Sequence, residues 1–97
     1  MGEPCYRVRD GYVHRKVAGT DVLISVGANV ANFNGYITLN PTASFLWDAL
    51  KEKRTAGTLI DLLTEEFDVS GETARKDVDL FLEMLRRNDM VVVYEEA

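Results

Sequence analysis

Residues 36–50 read YITLNPTASFLWDAL, and within this stretch the apolar spacing changes from that of a strand to that of a helix. Tyr36-Ile37-Thr38-Leu39 has the aromatic and β-branched content of a short strand. Asn40-Pro41 ends it and opens a helix. An Asn side-chain oxygen can accept from an early helical amide, and Pro at the first helical position gives up only an N–H that has no intrahelical partner. Beyond the junction Ala43, Leu46, Trp47 and Leu50 fall on one stripe, which marks Trp47 as core, and Lys51, Lys53 and Arg54 suit the negative pole of the helix dipole.

Upstream, YVHRKV (12–17) and DVLISV (21–26) read as two strands joined at Ala18-Gly19-Thr20, where Gly supplies the permissive backbone of a tight turn. GANVANFNG (27–35), rich in Gly and Asn, links this hairpin to the strand at 36–39. Downstream, Thr55 can cap a second helix whose apolar face, Leu59, Ile60, Leu62, Leu63 and Phe67, is wide enough to touch two neighbours. After the short link Asp68-Val69-Ser70-Gly71, Ser70 caps a third helix with Glu72 in its first turn and Arg86 and Arg87 in its last, ending at Asn88-Asp89. The closing Met90-Val91-Val92-Val93-Tyr94 is strand-like, and periodicity leaves open whether it joins the sheet or lies along the core. The expected fold class is α+β and winged-helix-like: a three-stranded antiparallel sheet at the N-terminus, three helices, and a short C-terminal strand.

Helix three has two distinct apolar faces. Ala74, Val78, Phe81 and Leu85 cluster as the core stripe, whereas Leu80 and Met84 sit one turn apart on a flank shared with Asp77, Asn88 and, farther round, Arg87. Either this pair packs on the terminal strand or sheet, or it lines a groove that a partner covers.

A chain of 97 residues is expected to form one domain with a single site or surface, its first ten residues frayed and Cys5 incidental within them. An apolar share of 46% and a charged share of 28% are ordinary for a soluble protein. No stretch approaches the roughly 18 apolar residues of a membrane span, and MGEPCYRVRDG lacks the apolar run of a secretory signal, so a cytoplasmic location is expected.

The net charge of −5 combines a locally basic start with an acidic remainder. That sign disfavours nucleic acid, and the exposed charge of helix three is balanced: Arg75, Lys76, Arg86 and Arg87 against Glu72, Asp77, Asp79 and Glu83. A winged-helix DNA-binding regulator is therefore the alternative reading, not the first. Catalytic and metal chemistry are expected to be absent. His14, the single histidine, reads as a solvated strand residue without a ligand partner. Gly27, Gly35, Gly57 and Gly71 form no phosphate loop, and Glu65-Glu66 and Glu95-Glu96 read as exposed charge. No cofactor and no enzyme activity are expected.

The order and spacing of Leu39-Asn40, Phe45-Leu46-Trp47, Leu50, Arg54-Thr55, Glu66-Phe67-Asp68 and the run from Asp77-Val78 to Leu85 resemble the PqqD-like family, the RiPP recognition elements, over nearly the whole chain. The Thr42-Ala43 step departs from the family's usual small-residue pattern. The resemblance implies a module that holds the leader segment of a ribosomally made precursor peptide as an added strand and presents it to a modifying enzyme of the radical SAM kind. It implies a site made of Phe33, Tyr36, Ile37, Thr38 and Leu39 on the strand side and Asp77, Leu80, Met84 and Arg87 on the helical wall. The physics of an open strand edge fits this, because its unpaired N–H and C=O groups bind an extended peptide while pockets for alternate side chains select among peptides. The same edge can pair with its own copy, so a homodimer can coexist with peptide binding.

Overall fold

The computed structural model describes residues 3–25 and 36–95. The hairpin forms as β2 (Tyr12–Val17) and β3 (Thr20–Ser25), paired antiparallel from Tyr12↔Ser25 to Val17↔Thr20. Its turn is two residues long, not three: Ala18 and Gly19 have φ of 51° and 83°. Positive φ at both central positions is the type I′ geometry that matches strand twist, and Thr20 is thereby the first residue of β3. β4 (Tyr36–Leu39) pairs with β3, which gives the expected antiparallel sheet in the order β2-β3-β4. Alternation divides it into two faces. Leu23 and Leu39 are buried in the core with Ile37 packed against it, while the row Val13, Ile24 and Tyr36 points the other way.

A second sheet departs from the expectation. β1 (Cys5–Val8) lies between β5 (Arg54–Thr55) and β6 (Val91–Tyr94), antiparallel to both. The expectation that residues 1–10 are frayed is overturned for this segment. Val8 is a core residue, its amide donates to the Leu50 carbonyl at 2.9 Å, and the Arg9 amide donates to Met90 at 2.9 Å. Cys5 is accordingly a half-buried strand residue. The terminal strand joins this sheet and not the first.

The helices α1 (Pro41–Ala49), α2 (Ala56–Glu66) and α3 (Gly71–Arg87) start on the expected caps. Asn40, Thr55 and Ser70 accept from the amides of Ala43, Thr58 and Thr73 at 2.8, 3.1 and 3.2 Å. α1 ends before Arg54, which returns from β5 to donate from Nε to the terminal Ala49 carbonyl. α3 closes in a Schellman motif: Asp89 adopts φ 57°, its amide donates to Arg86 and the Met90 amide donates to Leu85 at 2.8 Å. Met90 and Leu85 are both fully buried, so the same turn that ends the helix drives the chain into β6. Ala74, Val78, Phe81 and Leu85 form the buried stripe as expected, with Leu82 added. Trp47 sits in the core with the ring of Tyr12 edge-on at 5.8 Å. Burial, and after it the Asp89 carboxylate, raise the Tyr12 hydroxyl above the usual tyrosine range against the opposing pull of Arg9.

His14 is not the solvated residue that its position suggests. Its side chain is only 14% exposed because the strand face that carries it is the one covered by α1. Nδ1 lies 3.0 Å from Asp48 Oδ1, and Nε2 lies 3.1 Å from Asp21 Oδ1 and 2.9 Å from Ser44 Oγ. One ring thus ties β2 and β3 to α1 through polar contacts where the core ends. Replacing it by His14→Ala leaves Asp21 and Ser44 without this partner and is expected to cost about 1–3 kcal/mol, read from a urea titration. Ala18→Asn, which tolerates the left-handed turn better, is expected to raise stability by roughly 1 kcal/mol in the same measurement.

Candidate functional site

β4 is an edge: β3 takes one side, and no described residue pairs with the other. Along a strand the backbone polar groups alternate in direction, so about half of those of Tyr36–Leu39 point away from β3. The residues that build this edge also orient it. Leu39 and Ile37 are drawn into the core, which leaves Tyr36 and Thr38 on the opposite, exposed face. Asn40 then caps α1 directly, with Pro41 as its first residue, so the first turn of the helix stands at the end of the strand.

Beside that junction lies a cleft of about 220 Å³ between α1 and α3. α1 contributes Thr42, Ala43 and Leu46, α3 contributes Asp77, Leu80 and Phe81, and Asn40 joins them at the rim. Leu80 is 60% exposed, a large apolar side chain standing at an open cleft. Asp77 is the only ionisable group among the described lining residues. A cleft of this kind can take an apolar side chain and favours a basic neighbour, but it offers no pair of groups for proton transfer.

The two sides expected from the sequence meet here in part. Tyr36, Ile37, Thr38 and Leu39 form the edge strand, and Asp77 and Leu80 lie in the cleft beside its end. Met84 is half-buried and packs against the core, while Leu80 stands exposed at the cleft. Arg87 points elsewhere: it faces Glu83 at 3.4 Å in a shallow hollow that these two share with Arg86. Phe33 lies outside the described residues. Sequence reasoning did not name Asn40, Thr42, Ala43, Leu46 and Phe81 as lining. The cap at Asn40 was the signal available, since it fixes where the first turn of α1 must stand.

On the other face of the sheet is a second hollow of about 320 Å³, lined by Val17, Thr20, Val22, Ile24, Tyr36 and Thr38. Among the described residues there is no group of three or more His, Cys, Asp or Glu side chains that could hold a metal ion, and no helix long and apolar enough to cross a membrane.

The same fold occurs in two solved structures. "TbiB1 in complex with the TbiA(beta) leader peptide" is 21% identical, with a TM-score of 0.69 over 93% of this chain and 99% of that one. "Lasso peptide synthetase B1 complexed with the leader peptide" is 22% identical, with a TM-score of 0.68 over 90% of this chain and 96% of that one. No curated protein is a match. The family described as coenzyme PQQ synthesis protein D matches residues 19–91 of the 97, from the hairpin turn through the three helices to the start of β6. By that match the chain belongs to the PqqD family.

Proposed function

We propose that this chain is a peptide-binding module that takes the leader segment of a ribosomally made precursor as an added strand on β4 and presents it to a separate modifying enzyme. The observation that carries the reading is the open β4 edge with the exposed Leu80 at the cleft beside its end. Backbone pairing to the edge supplies affinity that depends little on sequence, and the cleft supplies selection of a side chain. Both structural neighbours are, by their names, complexes with leader peptides, which supports the same class of ligand here. A separate enzyme is part of the reading because the cleft has Asp77 as its one ionisable described lining residue, which supports binding over proton-transfer chemistry there. The modifying enzyme is of the radical SAM kind in this reading, on the family resemblance alone. The balanced charge of α3, with Arg87 turned to Glu83, weighs against a helix that enters a DNA groove.

Isotope-labelled protein titrated with synthetic leader peptides of ribosomally made precursors is expected to shift the amide signals of Tyr36–Leu39 and of α3 around Asp77 and Leu80 for its own leader. Leu80→Asp changes an exposed side chain, so the variant is expected to keep its circular dichroism and melting temperature. Its affinity for the leader is expected to fall roughly tenfold to a hundredfold, the worth of one buried apolar side chain. Normal binding by this variant would remove the cleft from the site.

A further inference from the structure

The large apolar residues that are exposed among the described ones are three, and none is scattered: Leu80 is 60%, Tyr36 65% and Val17 54% exposed. Leu80 belongs to the cleft on the helical side of the β4 edge, whereas Tyr36 and Val17 belong to the hollow on the outer face of the sheet. The edge therefore has an apolar recess on each side of it.

We propose that the bound peptide is read on both faces, with one series of alternate side chains entering the α1–α3 cleft and the other series lying in the outer hollow. This rests on the strand-addition reading above. Any strand paired to β4 must alternate its side chains between the two faces, in either direction of pairing, so half of them are delivered to the outer face. There the hollow is continuous with the edge, because Tyr36 and Thr38 belong to both. Val22 forms its floor: it lies in one cross-strand row with Thr38, faces away from the helical core, and is nonetheless only 4% exposed. Thr38 is the small member of the edge row, beside the large Tyr36. A long aliphatic or aromatic side chain opposite Thr38 on the added strand reaches across it toward Val22, within the distance that cross-strand and diagonal neighbours span. The ligand class that follows is a peptide with large apolar residues at positions of both parities, in contrast to one with a polar outward series.

Selection from a display library of random peptides, about a dozen residues long to exceed the strand, tests this on three forms of the full chain: wild type, Thr38→Asp and Leu80→Asp. Both substitutions are at exposed positions, and circular dichroism checks each fold. Wild type is expected to enrich two apolar series, each with a spacing of two and offset from each other by an odd number of residues. Thr38→Asp is expected to lose only one series and Leu80→Asp only the other, each variant binding wild-type-selected peptides roughly tenfold to a hundredfold more weakly. Enrichment of a single series by wild type, or unchanged selection by Thr38→Asp, overturns two-sided reading while leaving strand addition in place. Concentration-dependent dimerisation that Thr38→Asp abolishes, with only the cleft series enriched, assigns the outer hollow to a second copy and also overturns it. Enriched peptides without a period of two, or none at all, overturn both strand addition and the two-sided reading built on it.

Discussion

Asn40, the single residue between β4 and α1, accepts from the Ala43 amide at 2.8 Å, and Pro41 behind it is already the first residue of the helix. Everything that borders the candidate site depends on this junction. Because the helix begins where the strand ends, its first turn forms one wall of the cleft. Because Ile37 and Leu39 are anchored in the core, β4 cannot roll about its axis, and Tyr36 and Thr38 are held outward. α3, packed on α1 and α2, then supplies the opposite wall with Asp77 and Leu80. A longer strand-to-helix link would let the edge and the cleft drift apart.

The second sheet gives the junction something rigid to stand on. β1 collects strands from the middle and the end of the chain, and its last residue Val8 and the following Arg9 bond to Leu50 after α1 and to Met90 after α3. The ends of two helices are thereby tied to one strand. His14 does the corresponding work at the site sheet, where it joins β2 and β3 to α1 through Asp21, Ser44 and Asp48. In both places directional hydrogen bonds supplement apolar packing, which sets the angle between sheet and helices more narrowly than apolar packing alone.

A shared fold at 21–22% identity shows how little of the chain this architecture prescribes. In the proposed function, selection among peptides falls to a few positions such as Thr38, Asp77 and Leu80, which border the edge and the cleft.

The features legible in the sequence were those whose cause is local. Ser, Thr and Asn at helix starts, the period of helix three, and the alternation of residues 12–17 and 36–39 each reflect contacts within a few residues, so the helices, the hairpin and the edge strand could be read directly. Cys5-Tyr6-Arg7-Val8 carries no such mark, because a four-residue strand is stabilised by pairing with Arg54–Thr55 and Val91–Tyr94, and pairing across that separation leaves no local pattern. His14 was misjudged for the same reason: its place in the strand beside Arg15 carries no sign of burial, and only the packing of α1 onto the sheet buries it. Leu80 and Met84 share one flank, only about 40° apart by helical angle, yet one stands at an open cleft and the other packs against the core, since how a flank is covered depends on what lies across from it. The sequence by itself determined the three helices, the hairpin and the strand at 36–39; the tertiary structure decided the second sheet and which side chains stand beside the open edge, because contact between distant segments is a property of packing and not of spacing.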